Sequence, residues 1–407
     1  MLNKTYRVAH ISYSDSKGGA AIAAYRLNQA LRRFKINSKL FVLDKSKKDT
    51  ELIPKDLKKK WFFYTLRILE IILRKTIYLK SKSIHSFNFF DTDLKIRLKQ
   101  FNPDILHLHY ISSNTISIKE INEFKIPVVW TLHDLWPVLP TAHINYNLLK
   151  HEKKNFIQQI IDNFIYAQKQ KLKISLFIAP SRWVKSILKN KKKLNKTNTH
   201  IIANTLDTNY FKIKKKTQQL DVLNIGYSVN GFHQYHKGFD LFIDILNKTL
   251  HKCSKKINIH FIGDTDIKKK LNPETLKNKN LKIFEYSKTN SFKSILKFYS
   301  NLDLILITSR SETFCQVATE SMSCGIPVVA FNIGGLKDII IHNKNGWLVP
   351  SFDTSNFSRI LIKLINNNYL VKKKSVFCRN NAVSKYDYFP ISKKMNNIYK
   401  NLIKKSK

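Results

Sequence analysis

The segment from Leu302 to Phe331 limits the possible folds more than any other part of the sequence. It begins with the apolar run Leu302–Thr308 and ends with a second apolar run, Val328–Phe331. Between them lies a stretch of helical length that Gly325 and Pro327 terminate. Strands without polar alternation suit a parallel sheet that is covered on both faces. The segment therefore predicts a strand–loop–helix–strand unit of an α/β protein.

The same alternation of strands and helices occurs in both halves of the chain. Apolar runs of strand length lie at 8–13, 38–43, 104–110, 128–132, 176–180, 223–227, 257–262 and 281–285. Helical patterns separate them, and 407 residues suffice for two domains. We predict two Rossmann-like parallel-sheet domains, at 1–211 and 221–380, with a polar linker at 212–220. A helical tail at 381–407 is expected to pack back on the first domain.

The chain has a strong basic excess, with 72 lysines and arginines against 28 acidic residues and a formal net charge of +44. One interpretation is a compositional bias toward lysine, with the short lysine runs as solvated faces. The other is attraction to an anionic surface, either a lipid leaflet or a polyanion. The runs are not gathered in one basic arm and no nucleic-acid-binding motif is evident, so nucleic acid is not an expected partner.

The cysteines and the N-terminal sequence bear on the compartment. Four cysteines without C-x-x-C spacing predict free thiols in a reducing environment: Cys253, Cys315, Cys324 and Cys378. The chain enters the strand at 8–13 almost at once, which is unlike a cleavable signal. No uncharged apolar run has the length that crosses a bilayer. We therefore expect a cytoplasmic protein.

Two acidic residues, Glu312 and Glu320, frame the helix of the 302–331 segment. Eight residues of helix span a little over two turns, so Glu320 is expected below Glu312 on one side. The backbone N–H groups at a helix N-terminus attract anions. Two carboxylates beside such a terminus suit a ligand that has both sugar hydroxyls and phosphates.

Further candidates follow predicted strands, where ligands of open parallel sheets bind. Gly18 and Gly19 open a helix after the first strand, although an ordinary tight turn explains the pair equally well. His133 and Asp134 end the strand at 128–132, where a neutral imidazole or a hydrogen-bond donor could contact a reacting centre. His143 is a weaker candidate nearby.

Three other histidines lie inside apolar strands and are interpreted as buried structural groups: His10, His107 and His109. In the second half, Lys237 follows the first strand, where a compact positive charge can neutralise a diphosphate. The acidic triplets at 91–93 and 264–266 look like metal-binding D-x-D sequences. Because such triplets are common in loops, no metal site is expected. No Ser-His-Asp arrangement is evident.

The chain resembles the retaining glycosyltransferases of family 4 over most of its length. The resemblance rests on Gly18-Gly19-Ala20, Thr131 to Trp136, Ala179-Pro180-Ser181, Lys237-Gly238, Glu312 to Gly325 followed by Pro327, and Gly334-Gly335. It implies the GT-B fold, in which two Rossmann-like domains face each other across a cleft. It also implies transfer of a sugar from a nucleotide-diphosphate sugar to a saccharide acceptor, without a metal or other cofactor. We expect a lipid-linked acceptor and a role in the synthesis of a surface polysaccharide.

The resemblance also assigns roles to residues. The implied donor-binding set is Gly18, Gly19, Lys237, Glu312, Phe314, Cys315, Gln316, Val317 and Glu320. Glu320 is expected to bind the ribose hydroxyls, and the backbone of 314–317 to meet the diphosphate or the sugar. His133 and Glu312 are the catalytic candidates, and Asp134 and His143 are candidates on the acceptor side.

Two departures from the family pattern affect the donor site. Cys315 stands where the family usually has glycine, and its side chain could narrow the sugar pocket. The arginine that commonly precedes the phosphate-binding lysine has no counterpart in this chain. Phosphate binding is then expected to depend more on Lys237 and on the helix N-terminus.

The segment at 57–80 predicts a basic, aromatic helix. Lys60, Arg67 and Arg74 recur every seven residues and share one stripe, and the remaining surface is broadly apolar. One interpretation is a helix that packs on the first domain's sheet. The other is a helix in a membrane interface, which would bring the enzyme to a lipid-linked acceptor at the inner face of a membrane.

Two other functions remain open on sequence alone. The same fold suits a nucleotide-sugar epimerase or a phosphorylase, and the basic composition suits a non-catalytic protein that binds membrane or polyanion. An epimerase needs no acceptor, so the products formed from donor alone distinguish it from a transferase. If the chain is a transferase, substitution of Glu312 and Glu320 should abolish donor binding. If it is a non-catalytic protein, the same substitution should leave polyanion binding intact.

Overall fold

The computed structural model describes residues 6–53, 57–81, 83–92, 94–144, 154–189, 197–213, 222–229, 234–263, 267–287 and 292–406. The chain forms two compact units. The first comprises Met1–Thr205 together with Tyr388–Lys407, and the second comprises Leu206–Asp387. Most of the predicted linker and the acidic triplet at 264–266 lie outside the described residues.

The first unit is built on a parallel sheet. Its strands are β1 Arg7–Ser14, β2 Asn37–Asp44, β3 Glu51–Leu52, β4 Ile105–Leu108, β5 Val128–Thr131, β6 Leu176–Ala179 and β7 Thr199–Ile201. In the described residues seven strands pair in the order β3-β2-β1-β4-β5-β6-β7. The strands β4, β5 and β6 are buried along their whole length, as their uninterrupted apolar runs predict.

Helices cover this sheet, and two of them begin at capping boxes. They are α1 Gly19–Arg33, α2 Leu57–Ile77, α3 Leu94–Phe101, α4 Ile118–Glu123, α5 Phe156–Lys169 and α6 Arg182–Lys189. Capping boxes start α4, through Ser117 and Glu120, and α5, through Asn155 and Gln158. The apolar face of α1 packs on the sheet through Leu27 and Leu31.

The second unit repeats the architecture. Its strands are β8 Leu223–Val229, β9 Ile257–Gly263, β10 Leu281–Ser287, β11 Leu304–Ile307, β12 Val328–Phe331 and β13 Gly346–Val349. Its helices are α7 Phe239–Lys252, α8 Pro273–Lys277, α9 Phe292–Ser300, α10 Gln316–Ser323, α11 Leu336–Ile339, α12 Thr354–Asn366, α13 Tyr369–Lys372 and α14 Ser375–Tyr386. The described strands pair in parallel in the order β10-β9-β8-β11-β12-β13. The predicted class, two parallel-sheet α/β domains, is confirmed.

The last helix, α15 Tyr388–Ser406, belongs to the first unit. Its Met395 and Tyr399 join the apolar core that contains Val8 of β1. In contrast, α14 belongs to the second unit, where Arg379 Nη1 donates to the carbonyl oxygen of Phe211 at 2.9 Å. The boundaries between the units therefore lie after residues 205 and 387 of the sequence, rather than at 211 and 381.

All four cysteines are buried free thiols. Among the described helices, none combines the length and the apolar character that crossing a bilayer requires.

Candidate active site

In the second unit, β8 and β11 pair directly at the point where the strand order reverses. Ligands of open α/β sheets bind at such a point, beyond the carboxyl ends of the strands. The segment after β8 carries Lys237, and the loop after β11 carries Glu312. Lys237 Nζ donates to Glu312 Oε1 at 2.8 Å, across 75 positions of sequence. The fold thus joins two of the predicted donor-binding residues in one ion pair.

The Glu312 carboxylate is held at one oxygen. The side chain is 8% exposed, and its Oε1 accepts from Lys237 Nζ and from Ser309 Oγ, each at 2.8 Å. Burial is the largest single effect and acts to lower the pKa of Lys237, but attraction to Glu312 and Cys315 together with the hydrogen bond to Glu312 raises that pKa above its ordinary value. Lys237 is therefore a fixed positive charge at neutral pH.

Arg310 fastens the short 3-10 turn that carries Lys237. Its guanidinium lies 4.0 Å from the centre of the Tyr235 ring and donates to the Tyr235 carbonyl oxygen at 2.9 Å. The same group pairs with Asp240, with Nη1 and Oδ1 2.7 Å apart. Arg310 therefore ties the loop after β11 to the turn after β8.

Two glycines let these loops pack directly on backbone. Gly238 has a φ of 64°, and a Cβ there would lie 2.0 Å from the carbonyl oxygen of Thr308. Gly334 has a φ of 45°, and a Cβ there would lie 2.2 Å from the carbonyl oxygen of Glu312. Both positions need glycine, for conformation and for space.

The helix α10 begins at Gln316, with Cys315 at the N-cap and no acidic side chain in the first turn. Glu312 consequently lies in the loop before the helix, and the prediction that helical geometry places it above Glu320 was wrong. The carbonyl oxygen of Glu312 accepts from the N–H of Gly335 at 2.8 Å, so its backbone pairs with the next loop. The positive end of the α10 dipole still follows this loop directly.

The predicted residues 314–317 enter α10 beside the ion pair. Phe314 is buried and its ring packs against Tyr386. The Cys315 thiol is close enough to Lys237 and Glu312 to interact with both charges. Burial raises the pKa of this thiol, so it stays protonated at neutral pH. Gln316 and Val317 form the first turn of the helix.

Glu320 lies on α10, 8% exposed, and its orientation depends on a residue that the sequence did not indicate. Its Oε2 accepts from Tyr299 Oη at 2.8 Å. Tyr299, on α9, is itself buried and packs against Phe211. The sequence did contain one signal for Tyr299, since it is next to Phe298 on a helix that buries both side chains. A buried phenol needs a hydrogen-bond partner, so such a tyrosine is a candidate to orient a polar group.

In the first unit, the strand order reverses between β1 and β4. Gly18 follows β1 and has a φ of 88°, and a Cβ there would meet nothing within 4 Å. The backbone conformation, and not crowding, therefore favours glycine at this position. Gly19 is the first residue of α1. This pair belongs to the first unit, whereas the other predicted donor-binding residues belong to the second.

His133 follows β5 and is only partly exposed. Its Nε2 lies 2.9 Å from Nδ1 of His109. Burial lowers the pKa of His133 to about 4, although the nearby Asp134 opposes that shift. His133 is therefore a neutral imidazole at physiological pH.

Asp134 and His143 are hydrogen bonded to each other, and His143 is also hydrogen bonded to a serine. His143 Nδ1 lies 2.6 Å from Asp134 Oδ2, and its Nε2 lies 2.8 Å from Ser86 Oγ. This Ser-His-Asp contact was not evident in the sequence, because Ser86 and His143 are 57 positions apart. Ser86 is fully buried, and its carbonyl oxygen accepts from Trp136 Nε1. The series anchors the loop after β5 and presents no accessible nucleophile.

Comparison with known proteins covers nearly all of the chain. The family "Glycosyltransferase Family 4" matches residues 17–210, and "Glycosyl transferases group 1" matches residues 209–384. An uncharacterised glycosyltransferase of Methanocaldococcus jannaschii is 29% identical over 276 residues, which are 66% of this chain and 67% of that protein.

Solved structures show the same fold. Sucrose-phosphate synthase from Thermosynechococcus elongatus superposes with a TM-score of 0.70 and 16% identity, over 98% of this chain and 99% of the other. Anabaena HepE in complex with UDP and glucose superposes with a TM-score of 0.66 and 16% identity, over 97% and 100%. At this identity the likeness shows the fold alone, and it confirms the predicted GT-B class.

Proposed function

Because the chain belongs to the glycosyltransferases of group 1 and family 4, we propose that it transfers one sugar, with retention of configuration, from a nucleoside diphosphate sugar to a saccharide acceptor. The observation that carries the proposal is the Lys237–Glu312 ion pair beside the start of α10. A fixed cation, a carboxylate and a helix N-terminus suit the diphosphate and the sugar hydroxyls of such a donor.

The main requirement of this reaction is to stabilise the negative charge that develops on the leaving group. When the bond between the anomeric carbon and the phosphate oxygen breaks, its electron pair stays on the nucleoside diphosphate. Lys237 and the α10 N-terminus supply positive charge that stabilises this anion. These groups meet the demand without a metal ion, so we propose a metal-independent transfer.

The two glutamates take different parts of the donor in this proposal. Among the described residues, the hydrogen bonds to Glu312 reach only Oε1, so Oε2 remains for a hydroxyl of the donor sugar. Glu320 is oriented by Tyr299 and accepts from the ribose hydroxyls. His133 and Asp134, with His143 behind Asp134, remain predicted residues of the acceptor side.

Donor binding tests the proposal directly. Calorimetry with uridine, guanosine and adenosine diphosphates and their sugars should find one nucleotide that binds. Glu320→Gln should weaken that binding by at least about tenfold, since a charged hydrogen bond contributes about 1.5–3 kcal/mol. Glu274→Gln, on the exposed surface of α8, is the matched control.

The product distinguishes a transferase from its alternatives. Sugar transfer that needs both donor and acceptor supports the proposal, and conversion of the donor alone indicates an epimerase. Equal nucleotide binding by Glu320→Gln, Glu274→Gln and the wild type would contradict the assigned donor site.

We further propose that the enzyme docks on an anionic lipid surface through α2 and α5 to reach a lipid-linked acceptor, as in surface polysaccharide synthesis. Trp61 and Phe62 of α2 are 74% and 60% exposed, and Phe156 of α5 is 76% exposed. The helices are neighbours, because Gln158 Nε2 donates to the carbonyl oxygen of Ile77 at 2.7 Å. The net charge of +44 favours an anionic leaflet.

The opposite side of α2 faces the protein. Glu70 is buried, and its Oε1 accepts from the backbone N–H of Phe87 at 2.9 Å. Both sequence interpretations of this helix thus have support, one on each face. An interfacial helix needs such a division between a packed side and an exposed apolar side.

Vesicle sedimentation tests the docking. Replacing Trp61, Phe62 and Phe156 by serine should release the protein from phosphatidylglycerol vesicles, while Val376→Ser, at a 72% exposed position of the second unit, should not. Binding to neutral and anionic vesicles alike would contradict the role of charge. Failure of the wild type to sediment would reject the surface.

A further inference from the structure

One face of the first sheet buries a group of histidines. His10 on β1 pairs in register with His107 on β4, and both are 0% exposed. His109 follows two residues later and is 3% exposed, so it lies on the same face as His107. His133 lies beyond the end of β5, the next strand of the sheet.

Three of these rings form a hydrogen-bonded series. His10 Nδ1 lies 2.9 Å from His109 Nε2, and His109 Nδ1 lies 2.9 Å from His133 Nε2. His107 lies outside this series, with Nδ1 2.6 Å from Tyr399 Oη and Nε2 2.7 Å from Thr131 Oγ1. The series runs from the interior of the sheet to a predicted catalytic residue.

A metal centre explains this geometry less well. Nitrogens of His10, His107 and His109 lie within 4.8 Å of one another, which a cation could bridge. However, both nitrogens of His107 already have hydroxyl partners, and His10 and His109 bond each other directly. Hydrogen-bonded rings account for the short contacts without an ion.

Burial keeps these rings neutral. It lowers the pKa of His10 to about 3 and that of His133 to about 4, and it holds the pKa of His109 well below the ordinary value. A neutral imidazole has one N–H donor and one acceptor nitrogen. Each hydrogen bond therefore fixes which nitrogen of the next ring carries the proton.

The interior end of the series sets its direction. His10 Nε2 is buried and has no partner among the described residues. If the protons pointed inward, His10 would carry an unpaired N–H at Nε2, and buried N–H groups without acceptors are rare. Outward donation instead places the proton of His10 on Nδ1, where His109 accepts it.

We propose that His10 and His109 are positioning residues that set the tautomer of His133, with the proton on Nδ1 in all three rings. His133 then carries its N–H at Nδ1, and its Nε2 is committed to His109. The role given to His133 rests on the proposed function, whereas the tautomer is a property of the resting protein.

Nitrogen NMR of the whole chain, labelled with ¹⁵N-histidine, tests the tautomers. Of the 13 histidines, at least three should show the proton on Nδ1. We expect His107 to show it on Nε2, because a buried phenol such as Tyr399 needs an acceptor and its Oη lies 2.6 Å from His107 Nδ1. A spectrum with fewer than three such rings overturns the proposal, whether or not any variant folds. Stoichiometric zinc in the purified protein, measured by elemental analysis, overturns it as well.

Two matched variants test the positioning role. In His109→Phe the proton of His133 should redistribute toward Nε2, and kcat/KM should fall about tenfold with the loss of one hydrogen bond. His107→Phe removes an equally buried ring of the same strand and should leave the His133 signal on Nδ1. The same shift in both variants would show a merely structural effect and overturn the proposal. Absence of sugar transfer by the wild type would instead reject the proposed function and leave the tautomer result standing.

Discussion

The ion pair between Lys237 and Glu312 gives the most direct prediction. Lys237→Met removes the charge but keeps much of the side-chain volume, and it leaves a carboxylate that is 8% exposed without its cation. Ser309 Oγ, 2.8 Å from the same oxygen, then remains as the neighbouring donor. The perturbation therefore tests one buried charge and little else.

The expected loss of stability in Lys237→Met follows from the burial of the ion pair. Removing one partner of a fully buried pair costs about 3–5 kcal/mol, because the remaining charge stays desolvated and alone. The Lys237 side chain is 30% exposed, so water screens part of the interaction. We expect Lys237→Met to lower the free energy of unfolding by about 1–3 kcal/mol.

The contribution of the ion pair to the free energy of unfolding can be measured by urea unfolding of four proteins: the wild type, Lys237→Met, Glu312→Gln and the double variant. The single losses should exceed the loss of the double variant when summed, because each single change strands the other charged or polar group. Glu312 raises the folded-state pKa of Lys237 above 10.5, so the pair stabilises fully at neutral pH. The advantage of the wild type should shrink as pH rises through that raised pKa.

Nucleotide affinity provides the second readout. Lys237→Met should also weaken binding of the nucleoside diphosphate, because the compact charge that faces the phosphates is lost. Losses that simply add in the double variant, together with unchanged nucleotide affinity, would refute the reasoning. The ion pair would then contribute neither to stability nor to nucleotide binding.

Three further predictions concern the second unit, and one of them uses Gly18 of the first unit for comparison. Tyr299→Phe should weaken nucleotide binding about tenfold in calorimetry through loss of a charge-assisted hydrogen bond, and unchanged affinity would remove its positioning role. A non-glycine residue in the left-handed conformation costs about 1–2 kcal/mol. Gly238→Ala should lower the free energy of unfolding by more than this, because its Cβ would also lie 2.0 Å from the carbonyl oxygen of Thr308. Gly18→Ala, with open space around the Cβ, should cost only the conformational part, so equal losses in urea titrations would contradict the steric argument. Cys315→Gly should broaden the range of accepted donor sugars in competition assays, and an unchanged range would show that the thiol does not line the sugar pocket.

Sequence periodicity located the secondary structure around the second unit's ion pair. The apolar runs that flank 308–327 became β11 and β12, and the stretch ending before Gly325 became α10. Strand-length apolar runs and helix breakers act over a few residues, so a single sequence contains them. Lys237 and Glu312 meet because they follow adjacent strands, β8 and β11, and the sequence alone did not predict this adjacency.

Contacts between distant segments were beyond sequence reasoning. The carbonyl oxygen of Glu312 accepts from the N–H of Gly335, outside α10, and no local sequence pattern records this contact. Ser86 joins His143 for the same reason, since its polar partner lies 57 positions away. The three strand histidines were correctly predicted to be buried, but their hydrogen-bond order depends on strand register.

The first unit closes only with α15, where Tyr399 binds His107 across 292 positions of sequence. During translation, residues 206–387 leave the ribosome before this helix and hold all segments of the second unit. The strands that are made first therefore wait with the part of their sheet that α15 packs against uncovered, while the second unit can already fold. The unit that is made first is thus the unit that is completed last, and its incomplete sheet is exposed to aggregation for the longest time.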